Sequence, residues 1–291
     1  MTALAITRPA LRYHGGKFRL AKWIEAFFPP HMVYVEPFGG GASVLLLKKR
    51  SHAEIYNDLD AELNNFFAVA RDRGAELRDA LYLTPFSRAE FEQAYLPADD
   101  TLEQARRTVV RSFMGFGSGG ASGKRTGFRC NSSRSHTTPA HDWVNYPDAL
   151  PAITERLRGV TLECRDAAQV IAQHDGPRTL IYVDPPYVFS TRTRMLTQPS
   201  YSNWSGYRHE LTDADHRSLA ELLHSVKGMV VLSGYPCDLY DRELYNGWAR
   251  HERKALADGA RTRTEVLWLN PACAAALERS HGGLFAETDQ A

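Results

Sequence analysis

Cysteine is scarce in this 291-residue chain and nowhere paired: Cys130, Cys164, Cys237 and Cys273 lie far apart, with no CxxC spacing. That pattern suggests neither a zinc site nor a disulfide framework, and it fits a reducing cytoplasm. No apolar run approaches the ~18 residues that would span a bilayer, so no membrane partner is expected. Met1 to Ala10 lacks a basic segment followed by an apolar stretch, and no secretory signal is expected. Internal repeats and long low-complexity tracts are missing as well. Two phosphate-binding signatures also fail. The run Gly39-Gly40-Gly41-Ala42-Ser43 lacks the last glycine of GxGxxG, and Gly15-Gly16-Lys17-Phe18 lacks both the first glycine and the hydroxyl of a P-loop.

Net charge, +1, gives no global pull toward nucleic acid, but its distribution is uneven. Between Glu103 and Asp142 there is no carboxylate, yet Arg106, Arg107, Arg111, Lys124, Arg125, Arg129 and Arg134 fall there. A second acid-free window, from Asp184 to Glu210, holds Arg192, Arg194 and Arg208. On a nearly neutral chain two such windows read either as a phosphate-binding surface or as two solvated loops.

The length suits one large α/β domain, or a core domain carrying an insertion. Leu20, Trp23, Ile24 and Phe27 recur at helical spacing, and Pro29-Pro30 ends that helix. Val33-Tyr34-Val35-Glu36 reads as a short buried strand, followed by a glycine turn and an apolar helix over residues 43–47. The strand Glu54-Ile55-Tyr56-Asn57 then leads to Asp58 and to a helix with Leu63, Phe66, Phe67 and Ala70 on one face. Strand, helix, strand, helix is the start of a parallel sheet. From about Arg71 to Pro151 the pattern changes: helices are expected around 88–96 and 102–113, then a flexible Gly/Ser-rich stretch over 115–123. Strand signals return at Val160–Cys164, Thr179–Val183, Met229–Leu232 and Thr264–Leu269. A helix capped by Thr212 with Asp215 precedes the last two. The expected fold is therefore an α/β, Rossmann-like core formed by residues 1–70 and 155–291, interrupted by a mostly helical insertion over 71–154.

Two constellations carry chemistry. In the first, Glu36-Pro37-Phe38-Gly39-Gly40-Gly41 sits at a strand-to-helix turn, where missing Cβ atoms let a ligand approach the backbone. The turn lies at the carboxyl end of a strand, the ligand-binding edge of open α/β sheets. Asp58 ends the next strand and is placed to accept both hydroxyls of a ribose. With no phosphate signature, S-adenosylmethionine suits better than a nucleotide: it has a ribose and a methionine zwitterion. Lys17 is then a candidate for its carboxylate and Tyr13 for packing on it.

The second is Asp184-Pro185-Pro186-Tyr187, directly after the strand ending at Val183. An adenine amine is a weak nucleophile because its lone pair is delocalised into the ring. An acid (Asp184) and a main-chain carbonyl (Pro185) accepting its two N–H groups pull the nitrogen toward sp³ geometry. Prolines lack an N–H that would compete and hold the chain rigid. Tyr187 is suited to stack on the purine, a contact worth ~1–3 kcal/mol per base. A base inside a duplex is out of reach of such a site, so it must be flipped out.

Taken in order, Leu11-Arg12-Tyr13-His14-Gly15-Gly16-Lys17, Glu36 to Ser43, Tyr56-Asn57-Asp58 and Asp184 to Tyr187 resemble the motifs of the Dam-like D12, or α, class of N6-adenine DNA methyltransferases. The resemblance implies that Tyr13, Lys17, Asp58 and Asp184 contact S-adenosylmethionine and that Asp184 to Tyr187 receive the adenine. It implies that the insertion is the target-recognition domain, with double-stranded DNA as partner, a monomer as the expected state, and the cytoplasm of a bacterium or phage-infected host as the location. Arg111, Lys124, Arg125, Arg129 and Arg134 are the expected phosphate contacts, with one or two reading a guanine edge. Tyr201, Trp204 and Tyr207 are candidates for a loop over the flipped base or for core residues. The alternatives are a DNA-binding protein that keeps the pocket without catalysis, or an enzyme acting on RNA adenine or cytosine N4.

Overall fold

The computed structural model describes residues 5–133, 137–191, 207–256 and 262–282. Helix α1 (Ala21–Glu25) precedes strand β1 (Val33–Glu36), helix α2 (Ser43–Leu47), strand β2 (Ala53–Asn57) and helix α3 (Ala61–Asp72). Five helices follow: α4 (Gly74–Tyr82), α5 (Arg88–Gln93), α6 (Thr101–Met114), α7 (Pro139–Val144) and α8 (Leu150–Leu157). The chain then runs through β3 (Val160–Glu163), α9 (Ala167–His174), β4 (Thr179–Val183), α10 (Asp213–Ser225) and β5 (Met229–Gly234). It continues into β6 (Ala249–Leu256), β7 (Thr262–Leu269) and α11 (Pro271–Gly282).

The strands form one seven-stranded sheet in the order β3-β2-β1-β4-β5-β7-β6. Neighbours from β3 to β5 are parallel, and β7 lies antiparallel to both β5 and β6. The chain starts at β1, moves outward through β2 and β3, and returns to β4 on the other side of β1. That reversal leaves a crevice beyond the carboxyl ends of β1 and β4, where open α/β sheets bind ligands. Val35 sits opposite Ile181, so the turns after Glu36 and Val183 are neighbours.

Central parallel strands are covered on both faces and need continuous apolar runs. Thr179-Leu180-Ile181-Tyr182-Val183 is buried throughout. Alternate residues feed two cores: Tyr34, Tyr56, Leu180 and Tyr182 face one side, and Val35, Ile55, Ile181 and Val183 the other. The predicted capping box is present at α10, where Thr212 Oγ1 accepts from Asp215 N and Asp215 Oδ2 accepts from Thr212 N.

The structure extends and corrects the sequence reading of the middle region. Helices appear at 88–93 and 101–114 as expected, together with α4, α7 and α8, whose apolar stripes are too short to announce themselves. A boundary at 154/155 falls inside α8. Leu150, Ile153 and Leu157 of that helix join the same apolar cluster as Phe66 and Phe67 of α3 and Val109, Val110 and Phe113 of α6. These helices thus share a core with the sheet. The Gly/Ser-rich run folds onto the end of α6: a Cβ at Gly120 would collide with the carbonyl of Arg111. Strand β6, Ala-Arg-His-Glu-Arg-Lys-Ala-Leu, is charged as edge strands often are, and so lacks the alternation that marks a half-buried strand.

Candidate active site

Glu36 ends β1 and is 2% exposed. Its Oε2 accepts from Tyr34 Oη at 3.0 Å and from the backbone N–H of Leu45 at 3.1 Å, in the first turn of α2. Burial outweighs these bonds and pushes its pKa up to about 8. Gly40 and Ala42 then take left-handed conformations, with φ of 49° and 53°. The turn has no room for side chains. A Cβ on Gly39 would overlap the Tyr56 ring, and one on Gly40 would lie 2.7 Å from Tyr13 Cε1.

The pKa of Glu36 has a measurable consequence. A carboxyl that is neutral when folded, against an ordinary value near 4.5, takes up a proton on folding between those two pH values. Stability contributed by the neutral form is complete below about 4.5 and is lost as pH rises through about 8. Thermal unfolding followed from pH 5 to 9 should show this decline, and Glu36→Gln should flatten it; an identical slope in the variant would remove Glu36 as the cause.

Asp58 follows β2 and braces the glycine turn from the other side. Its Oδ2 accepts from Gly40 N at 2.8 Å and its Oδ1 from Asp60 N at 2.8 Å. Burial raises its pKa, and those two backbone donors oppose the rise. Asn57, 1% exposed, donates to the carbonyls of Pro37 and Arg165, tying the turn after β1 to the turn after β3.

Asp184 follows β4. Its Oδ2 pairs with Lys17 Nζ at 2.9 Å, and Lys17, 4% exposed, also donates to the carbonyl of Gly15 at 2.9 Å. Asp184 Oδ1 is enclosed and makes no hydrogen bond of ordinary geometry among the described residues. Burial raises the pKa of Asp184, and the Lys17 ammonium, together with the nearby hydroxyls of Tyr187 and Ser233, only partly offsets this. Lys17 is also penalised by burial, but attraction to Asp184 and then Glu265 wins, and its pKa lies above the usual lysine range. The ammonium sits 4.8 Å from the Tyr187 ring centroid. Tyr187 donates to Glu265 Oε2 at 3.2 Å and meets Tyr235 edge-on at 4.5 Å.

These pieces surround one cavity of about 280 Å³. Tyr13, Lys17, Glu36, Pro37, Phe38, Gly39, Gly40, Gly41, Asp58 and Asp184 all line it, so the predicted cofactor set comes together. Of the remaining motif residues, Pro186 lines the cavity, while Pro185 and Tyr187 are buried beside it. Lys17 differs from expectation in one respect: it is gripped by the Asp184 carboxylate. Sequence reasoning missed Arg165-Asp166-Ala167-Ala168, which form the wall after β3. The available signal was Asp166 as the N-cap of a helix, whose Oδ1 accepts from Ala168 and Gln169. Glu265 was missed because nothing in the pattern of β7 separates it from a solvent-facing acid.

The basic windows fare differently. Absence of acids in sequence is not absence in space. Arg106 binds Glu103 and Glu90, and Arg107 binds Glu103 at 2.7 Å. Arg111 is 3% exposed, pairs with Glu62 and donates to the carbonyl of Ala94, so it has no access to a phosphate. Its assignment as a DNA contact is corrected to an internal brace. Arg129, with a side chain 13% exposed, donates to the carbonyl of Phe113 and lies 3.9 Å from Asp142. Arg125 is exposed, its guanidinium 5.4 Å from the Tyr95 ring, and Lys124 is half-buried. Arg134, Arg192, Arg194, Tyr201 and Trp204 lie outside the described residues. Tyr207 and Arg208 line the cavity.

A sheet with this reversal, and an Asp-Pro-Pro-Tyr turn beside a glycine turn at its carboxyl edge, fits the class of methyltransferases that act on an amino group. Comparison with known proteins specifies the family. Residues 13–258 match the model of the D12 class N6 adenine-specific DNA methyltransferases, and the chain belongs to that family. The DNA adenine methylase of Haemophilus influenzae is 26% identical over 254 residues, covering 82% of this chain and 83% of that protein. That of Serratia marcescens is 26% identical over 269 residues (88% and 92%), and that of Salmonella typhi 26% over 271 (89% and 92%).

Proposed function

We propose that the protein transfers the methyl group of S-adenosylmethionine to the N6 amine of adenine in double-stranded DNA, at a specific short sequence, on a base turned out of the helix. The observation that carries this reading is Asp184: a half-buried acid at the end of β4, with one oxygen held by Lys17 and the other enclosed and making no hydrogen bond of ordinary geometry among the described residues. An acceptor left unsatisfied in a dry site costs about 1–3 kcal/mol, which a donor from the substrate recovers. An adenine N–H is such a donor.

The cavity fits the cofactor. Gly39 and Gly40 leave backbone bare where Cβ atoms would collide with neighbours, Gly41 continues that bare backbone along the cavity, and Asp58 lines the wall with lone pairs beyond those used by Gly40 and Asp60. When bound, S-adenosylmethionine supplies an electrophilic sulfonium methyl. Asp58 holds the ribose, Tyr13 packs on the ligand, and Lys17 answers the methionine carboxylate. Asp184 and the carbonyl of Pro185 accept from the adenine amine and localise its lone pair, while Tyr187, with its hydroxyl fixed by Glu265, receives the purine ring. Much of the rate enhancement then comes from holding amine and methyl in a near-attack arrangement. Asp184 acts as an acceptor before transfer and takes the released proton afterwards.

The strands form a Rossmann-like core, and the helices α4 to α8 with the Gly/Ser-rich turn form the target-recognition region. The protein is proposed to act as a monomer in the cytoplasm. Lys124, half-buried, and Arg125, exposed, are the proposed phosphate contacts among the described residues. Replacing both by alanine should weaken DNA binding at every sequence and reduce the salt slope of log K by about 1–2, since each phosphate contact contributes roughly 0.9. Fluorescence anisotropy at several salt concentrations checks this, and an unchanged slope would take both residues off the DNA. Incubation with labelled S-adenosylmethionine and duplex DNA, followed by nucleoside digestion, tests the function. Label is expected in N6-methyladenine; label in cytosine, or in no nucleoside, would overturn the reading. No feature of the site favours the RNA, cytosine or inactive alternatives.

A further inference from the structure

Four charged groups form one ion-pair network beside the cofactor cavity. Arg208 lines the cavity, pairs with Asp60 Oδ1 at 3.2 Å and with Glu62 Oε1 at 3.0 Å. Glu62 Oε2 pairs in turn with Arg111, buried in α6. Asp60 stands two residues after Asp58 and donates its N–H to that acid's Oδ1. On its other side Arg208 reaches the recognition turn: its Nη2 lies 3.4 Å from the carbonyl of Ser122, and a Cβ at Gly123 would press on it at 2.5 Å. Lys124 and Arg125 follow directly on that turn.

One side chain thus touches the cavity wall, the acid-bearing turn after β2 and the turn that presents the proposed DNA contacts. We infer that Arg208 is a positioning residue that couples the two binding sites, so that cofactor and DNA each bind more tightly when the other is in place. This rests on the function proposed above. The physical reason is shared ordering. Asp60 and Glu62 belong to the start of α3 and hold the guanidinium from below, so a ligand seated against the cavity wall fixes Arg208, and Arg208 fixes the Ser122-Gly123 turn. DNA gripping the same turn does the converse, and linkage requires the two effects to be equal. Arg111 sits deep in α6 and anchors the network, while Arg208, with a side chain 34% exposed, is the member that responds.

The test uses the whole protein, S-adenosylhomocysteine as cofactor probe and a substrate duplex. Its affinity is measured calorimetrically without and with saturating DNA. The wild-type protein should show a tightening of about tenfold, within the usual range of coupling between sites. In Arg208→Ala this ratio should fall to near one, whatever happens to the affinity without DNA, and Arg208→Lys, which keeps the charge but not the forked geometry, should recover only part of it. Glu62→Gln should reduce the ratio as well, with the melting temperature recorded to confirm folding. An unchanged ratio in Arg208→Ala, or a wild-type protein that binds both ligands independently, overturns the inference and leaves the proposed function standing. A wild-type protein that binds no DNA overturns the function itself, and the inference with it.

Discussion

Asp184→Ala is expected to lower the single-turnover rate of methyl transfer by about 10²–10³-fold, the usual loss when one preorganised polar contact to the reacting group is removed. Three observations set that size. The acid lines the cavity, it follows the strand adjacent to the one bearing the glycine turn, and its enclosed Oδ1 makes no hydrogen bond of ordinary geometry among the described residues. Removing it deprives the adenine amine of its acceptor and leaves the Lys17 ammonium without its closest counter-charge. Lys17 keeps the Gly15 carbonyl and the field of Glu265, so the cofactor cavity should survive. Binding of S-adenosylhomocysteine and of DNA should therefore change far less than the rate. Asp184→Asn, which retains one acceptor oxygen, should lose less. A variant with unaltered cofactor binding and near-normal turnover would remove Asp184 from the chemistry.

Arg111→Ala should cost about 1–3 kcal/mol of stability, the usual penalty when a buried polar group loses its partner, because the carbonyl of Ala94 loses its buried donor while the partly exposed Glu62 keeps Arg208. The Arg111 guanidinium joins α6 to Glu62 at the start of α3 and to the carbonyl of Ala94 after α5, and Ala94 belongs to the shared core. Denaturant unfolding measures the loss. If the variant is too unstable to purify, Arg111→Met keeps the volume and the aliphatic packing, and it should be less destabilised than alanine while leaving the salt slope of DNA binding intact. The opposite pattern, normal stability with a reduced salt slope, would return Arg111 to the DNA surface.

The contrast between these two residues shows what could be read in the sequence. Asp184 was legible because its neighbours in the chain are its neighbours in function: a strand end, two prolines and a tyrosine lie in one short run. The same holds for Glu36 to Gly41 and for Asp58, each placed by its own strand. That all three meet in one cavity depends on the strand order, with β1 between β2 and β4, which local patterns do not encode. Arg111 was misread because its partner Glu62 is 49 residues away, and the acid-free window around it is filled in three dimensions by Glu62, Glu90 and Asp142. Glu265 was invisible for a related reason. Only the antiparallel return of β7 beside β5 brings it to Tyr187. The extra helices α4, α7 and α8 and the charged edge strand β6 owe their existence to packing against the rest of the molecule more than to their own periodicity.

The central claim is that Asp184 takes hold of an extruded adenine amine next to the methyl donor. A crystal structure of the protein with a duplex it methylates and a non-reactive analogue of S-adenosylmethionine tests this most directly. The account predicts an adenine outside the helix, its N6 within about 2.6–3.2 Å of Asp184 Oδ1 and of the Pro185 carbonyl, with its ring against Tyr187. An adenine still stacked in the duplex, or an N6 facing other residues while Asp184 stays closed on Lys17, would contradict it.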